Sequence, residues 1–276
     1  SLAATGLAAP EIAAQTRAVE TDCFVLVFDD PAQDEDDVIS TETGTFDEER
    51  GSFATVQFSS ARADGRQLSD VDPDSGIFEA FGWATGGLYI QGLAETNARS
   101  TVRLDFELGP AGRVEFDLLN LFVDDQFGDD FSFDRPADAT AAIVITDVTT
   151  GDVVFEERLT LDDQGNDQEL LIEEPFAVVL GTGSFDLRIE AVTTDATQGV
   201  EEIQGSFGAA VFDVRGRILA CPADLEGDGT VGTPDLLALL AAWGACDHCP
   251  EDLDADGTVD TGDLLTLLAA WGPCPG

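Results

Sequence analysis

Through most of its length this chain alternates apolar and polar residues with a period of two. Val102, Leu104, Phe106 and Leu108 alternate with Arg103, Asp105 and Glu107, and Phe185, Leu187 and Ile189 alternate with Asp186, Arg188 and Glu190. Alternation over such lengths predicts antiparallel strands with one buried face. Similar runs fall at 23–28, 53–58, 86–91, 112–123, 141–148, 151–161, 169–180 and 206–219, separated by the turn-rich stretches GPAG, TTGD, DDQGND and GTGS. About ten strands without a long helix predict a mainly β fold, an antiparallel jelly-roll-like β-sandwich over residues 22–219. The eighteen phenylalanines are its expected core.

The pattern changes at both ends. Residues 1–21 are rich in alanine and nearly uncharged, and read as a segment apart from the sandwich. From residue 220 the period becomes helical. The stretch beginning at Cys221 repeats from Cys249 with 19 of 28 positions identical and no gap. A tandem repeat of this kind marks a unit that buries its apolar face only against its copy. LLALLAAW and LLTLLAAW are apolar over more than half a helix circumference, so each helix is expected to pack on its twin. Pro234 suits a helix start, and Gly244 and Gly272 a helix stop.

Each repeat also carries the spacing of a twelve-residue calcium loop, with oxygen donors at positions one, three, five, seven, nine and twelve and glycine at six. The first loop supplies Asp224, Glu226, Asp228, the Thr230 carbonyl and Asp235 around Gly229. The second supplies Asp252, Asp254, Asp256, the Thr258 carbonyl, Asp260 and Asp263 around Gly257. Gly232 leaves position nine of the first loop to water, so the second has the fuller ligand set. A module this small has little core, and two calcium ions with disulfides are expected to hold it.

Two loop-helix repeats, DLEGDGTVGTPD and DLDADGTVDTGD, with no helix ahead of either loop, resemble a dockerin. The flanking CP and WGxC cysteines resemble those of GC-type dockerins at the C-termini of bacterial secreted proteins. The resemblance covers the last 56 of 276 residues. It implies a small all-α module over 220–276 that docks noncovalently to a cohesin-like receptor or anchors at the cell surface. It also implies that the residues before each closing aspartate, Thr233, Pro234, Thr261 and Gly262, help to choose the partner.

Four of the five cysteines lie in this module, which fits an oxidising compartment. Cys221, Cys246, Cys249 and Cys274 allow three pairings. Cys221 with Cys274 and Cys246 with Cys249 is favoured, because a two-fold pair of repeats maps each bond onto the other. Half a zinc site at Cys246, His248 and Cys249 is the rival, but zinc needs four ligands and the chain has no other histidine. Cys23 is left as a buried thiol, a competitor of Cys221 for its bond, or a link to another chain.

The chain has 56 acidic residues, 12 arginines, no lysine and a formal charge of −44. Such a surface repels nucleic acid and anionic membranes. Salt relieves the self-repulsion, since the Debye length falls to about 3 Å at 1 M. No initiating methionine, leader or apolar run long enough to span a bilayer is present, so the sequence reads as a mature, secreted, extracellular or cell-surface protein.

Chemistry is sparse. With its one histidine at position 248, the sandwich has no means for Ser-His-Asp or Cys-His catalysis, and without lysine it has none for Schiff bases. Abundant carboxylates make any single glycosidase-like pair a weak candidate. Acidic stretches at 29–37 and 124–130 are candidates for a further calcium, although solvated loops are the simpler expectation. Trp83 and Tyr89 are a candidate sugar platform, although packing in the core or at an edge is the simpler one.

The expectation is a non-enzymatic surface or matrix protein whose tail joins the sandwich to a protein partner. Self-association into a filament is included, with the N-terminal segment adding a strand to a neighbour. A dockerin-delivered carbohydrate-binding module or polysaccharide hydrolase is the alternative.

Overall fold

A computed structural model describes residues 11–27, 30–57, 59–73, 75–90, 93–108, 112–124, 135–161, 167–197, 204–226, 230–246, 249–254 and 256–274. Asp228, His248, residues 1–10 and residues 125–130 lie outside them. The period-two runs form two sheets. One has the spatial order β10 (Val153–Thr160), β9 (Asp138–Asp147), β13 (Gly183–Thr197), β6 (Leu93–Leu108), β1 (Glu11–Val27), β2 (Asp30–Ser40). The other runs β11 (Gln168–Ile172), β7 (Gly112–Asp124), β14 (Gln204–Leu219), β5 (Ile77–Ile90), β4 (Ser59–Asp72), β3 (Gly44–Val56). Here β12 (Phe176–Leu180) also pairs with β7, and the short β8 (Arg135–Pro136) runs parallel to β14. Apart from β8 the pairings are antiparallel, so the chain is mainly β and sandwich-like.

One apolar core fills the space between the sheets, with Val102, Leu104 and Phe106 of β6 facing Phe78 of β5 and Phe116 of β7 across it. Phe116 gathers Phe78, Phe155 and Phe176 at ring distances of 6.2, 5.8 and 4.9 Å. Phenylalanine is not confined to this core: Phe53 and Phe81 point outward and are exposed. Inward positions in the middle of β5, Ala80, Gly82, Ala84 and Gly86, are small. A Cβ at Gly82 would come within 2.4 Å of both Phe212 and Ser100, so only hydrogen fits where the layers approach.

Three expectations are corrected. β1 starts at Glu11 and lies between β2 and β6, so the second half of the alanine-rich segment belongs to the sandwich and already has its partners. From Glu11 onward it is therefore not free to add a strand to a neighbour. Arg17 fixes it from inside: its buried guanidinium donates to the carbonyls of Glu42, in the connection from β2 to β3, and of Gly44 at the start of β3, and sits 5.2 Å from the centre of the Phe46 ring. Most of the acidic 29–37 stretch is not a loop but the edge strand β2. There Asp34 accepts from the Phe53 amide at 2.9 Å and Asp37 from the Thr21 amide at 3.0 Å. Charge on an edge strand blocks pairing with other chains.

Cys23 is a buried free thiol, donating to the Ser52 carbonyl at 3.4 Å and accepting from the Ser52 hydroxyl at 3.2 Å. Burial, more than any neighbouring charge, pushes its pKa up to about 11. Native protein at pH 8 should therefore leave this thiol unalkylated by iodoacetamide while urea-unfolded protein reacts fully, read by intact mass. Prompt labelling of the folded protein would contradict its placement.

Candidate metal and docking site

The tail places two short helices, α1 (Thr233–Ala241) and α2 (Thr261–Ala269), each after one acidic loop. Its strands are two-residue pieces exchanged between repeats. β15 (Thr230–Val231) pairs with β18 (Gly272–Pro273), and β16 (Gly244–Ala245) pairs with β17 (Thr258–Val259). Each loop is thus tied to the stretch after the other repeat's helix. Cys221 is bonded to Cys274 and Cys246 to Cys249, the pairing favoured from the repeat symmetry. Bonded sulfurs at Cys246 and Cys249 remove the half zinc site.

The last acid of each loop organises it. Asp263 is wholly buried; its Oδ1 accepts from the amides of Leu253 at 2.6 Å and Asp254 at 3.3 Å, and its Oδ2 from that of Asp260 at 2.7 Å. Asp235 repeats the arrangement with Leu225 at 2.7 Å, Glu226 at 3.4 Å and Gly232 at 2.6 Å. One carboxylate therefore ties positions two and three of each loop to position nine.

In the second loop Asp252 is buried and accepts from the Asp256 and Gly257 amides at 3.2 and 2.8 Å. Gly257 has φ +86°, a left-handed turn that glycine adopts without strain. The bend brings one carboxylate oxygen each from Asp252, Asp254 and Asp256 within 4.8 Å of one another. Desolvation first, and then the charges of Asp263, Asp256 and Asp252, raise the Asp254 pKa. Crowded oxygens of like charge suit a hard divalent cation such as calcium, so the donor set fits the ion that the spacing implies. Thr258 is half-buried in the same loop, and Asp260 caps α2 by accepting from the Gly262 amide at 2.6 Å. In the first loop Asp224 is buried, whereas Glu226 and Thr230 are exposed. Among the described residues no other carboxylate group is gathered so closely.

The helices pack less completely than their composition suggests. Leu239 and Leu267 are wholly buried with Val231, Val259, Leu253 and Ala223, but Leu237, Leu240, Leu265 and Leu268 are 62, 46, 66 and 48 % exposed. Their spacing puts Thr233, Leu237 and Leu240 on one helix face and Thr261, Leu265 and Leu268 on the matching face of the other. Pro234 is exposed beside Thr233, and Gly262 is half-buried beside Thr261. Trp243 and Trp271 are also half open to solvent.

The joint to the sandwich was not read from the sequence. Arg113 on β7 is buried and donates to the carbonyls of Pro222 and Pro250, which are equivalent positions in the two repeats. Its charge is met by Glu115, which Arg217 also contacts at 2.5 Å. Desolvation lowers the Arg113 pKa, opposed by Glu115. The available signal was an Arg-x-Glu pair inside an apolar strand of a chain with only 12 basic residues.

No protein-family profile and no curated protein matches the chain. Among solved structures it is similar to TmCBM61, solved with β-1,4-galactotriose, at 10 % identity, covering 58 % of this chain and 87 % of that one, with a TM-score of 0.20. It is similar to the enzymatically active domain of bacteriophage CBA120 tailspike protein 4 at 11 % identity, covering 62 % and 19 % of the two chains, with a TM-score of 0.21.

Proposed function

We propose that this is a non-enzymatic, secreted binding protein whose dockerin-like tail, organised by two calcium ions, docks the β-sandwich to a protein partner. The observation that carries this is the pair of identical exposed stripes, Thr233-Leu237-Leu240 and Thr261-Leu265-Leu268, on helices anchored directly to the acidic loops. Leucine exposed at this level on both copies of a repeat fits a surface that a partner covers. Asp224, Glu226, Asp228 and Asp235 would hold one ion, and Asp252, Asp254, Asp256, Asp260 and Asp263 the other. The Thr230 and Thr258 carbonyls complete the two sets. Calcium would neutralise the clustered carboxylates and fix the loops that position the helices.

A cohesin-like receptor or a second copy of the chain is the partner class. Calorimetric titration should find two calcium ions with dissociation constants of about 10⁻⁴ to 10⁻³ M. Each adds about 2.7 kcal/mol to stability at a hundredfold excess over its constant. Chelation should abolish the tail's melting transition and leave that of the sandwich in place. A tail that melts identically with and without calcium would remove the reading, and light scattering in millimolar calcium distinguishes a self-associating chain from a monomer awaiting a receptor.

A further inference from the structure

The outer face of the eight-stranded sheet carries a trough of about 430 Å³ along β5. Alternation sends Ala80, Ala84 and Leu88 into the core and Phe81, Trp83, Thr85, Gly87 and Tyr89 outward. Tyr89 is 53 % exposed. Its lining includes Trp83 and Tyr89, with Phe207 of β14 directly across from Gly87. Gly87 keeps the floor low, since a Cβ there would meet Phe207 at 3.2 Å. Beside the rings, on the β4 side of β5, stand polar groups of β3 and β4: the Glu49 and Asp64 carboxylates, and Arg62, which donates Nε and Nη2 to Asp64 at 2.5 and 3.1 Å. A second hollow of about 330 Å³ on the same face surrounds Phe81 and Leu68 with Asp70, Glu79 and Asp213. Of the two readings of Trp83 and Tyr89, packing in the core is thereby corrected: both rings lie on the outer face.

We infer that this trough binds a linear, uncharged polysaccharide through ring stacking on Trp83, Phe207 and Tyr89 and hydroxyl bonds to Glu49 and Asp64. A pyranose has apolar C–H faces and a rim of hydroxyl donors, which is the complement of aromatic faces flanked by carboxylate acceptors. Charge selects against uronates and sulfated chains, because Arg62, the one cation among the described lining residues, is already paired with Asp64 and the chain as a whole carries a formal charge of −44. A peptide adding as a strand is excluded by topology: β5 is hydrogen-bonded on both sides by β4 and β14, leaving no free backbone edge. From Trp83 to Tyr89 is six residues, about 20 Å at the rise of a strand, or roughly four hexose units. The site is independent of the tail's docking surface.

Affinity electrophoresis of the full chain in calcium through gels containing cellulose derivatives, xylan, mannan or galactan, with alginate and polygalacturonate as anionic controls, tests this. At least one neutral polymer should retard the protein, and its oligosaccharides should bind more tightly up to about four units, as the strand spacing requires. Trp83→Ala and Tyr89→Ala should each weaken binding about tenfold or more, and Tyr89→Phe should retain it, since stacking needs only the ring. Tyr89 is exposed enough for its variants to keep the wild-type melting temperature, so loss of binding there reports the site. Retardation by none of the neutral polymers, equal binding by both alanine variants, or preference for the anionic polymers would overturn the inference.

Discussion

Replacing Asp263 with alanine should unfold the tail while leaving the sandwich intact. The substitution strands three amides, those of Leu253, Asp254 and Asp260, which now end on one wholly buried carboxylate. Each buried donor left without a partner costs about 1–3 kcal/mol. Among the described residues only six apolar side chains are buried in the tail's own core, which leaves little stability to offset that loss. Asp263→Asn should be intermediate, since its amide keeps one acceptor but turns a donor toward another. Hydrogen exchange should rise across 252–260 and calcium binding at the second loop should vanish, while exchange in β6 and β13 stays unchanged. By the same logic alanine at Asp256 or Asp263 should cost more than at Asp228 or Asp235, because the second loop has the fuller donor set. Unaltered exchange in 252–260 after Asp263→Ala would show that the carboxylate does not hold the loop.

Replacing Arg113 with methionine should separate the tail from the sandwich. Methionine fills the space but leaves the Pro222 and Pro250 carbonyls without their donor and Glu115 with Arg217 as its remaining basic neighbour. Breaking a buried pair by removing one partner typically costs about 3–5 kcal/mol. Lysine should rescue only partly, because a single ammonium cannot reproduce the planar fork that reaches two carbonyls and a carboxylate. Chemical denaturation followed by hydrogen exchange at 220–226 and 249–254 measures the effect. A variant with wild-type stability and full protection at both CP turns would show that Arg113 is a bystander.

The strands were legible because period two survives wherever one face is buried, as in β6 and β13, which pair over fifteen residues without a register shift. The tail was legible because its repeat fixes symmetry, and symmetry favoured the observed disulfides. What stayed hidden depends on tertiary placement. The alanine-rich opening looked detached because alanine carries no strand signature, yet small side chains suit a strand between two neighbours. Arg17 and Arg113 resemble surface cations until the fold brings backbone carbonyls to them. For Trp83 and Tyr89 packing in the core or at an edge was the simpler expectation on residue type, although the small residues at 80, 82, 84 and 86 already marked the opposite face as the one pressed against the other sheet.

The bond between Cys221 and Cys274 spans 53 residues of sequence and ends two residues beyond β14. Tension arriving at Cys274 therefore passes through sulfur directly to the end of a central strand, and the loops and helices between the two cysteines are not drawn out in series. Under flow or pulling at Cys274, the segment between the two cysteines should not lengthen until the disulfide is reduced, and a reducing agent should lengthen the extension before rupture by the contour of the released segment.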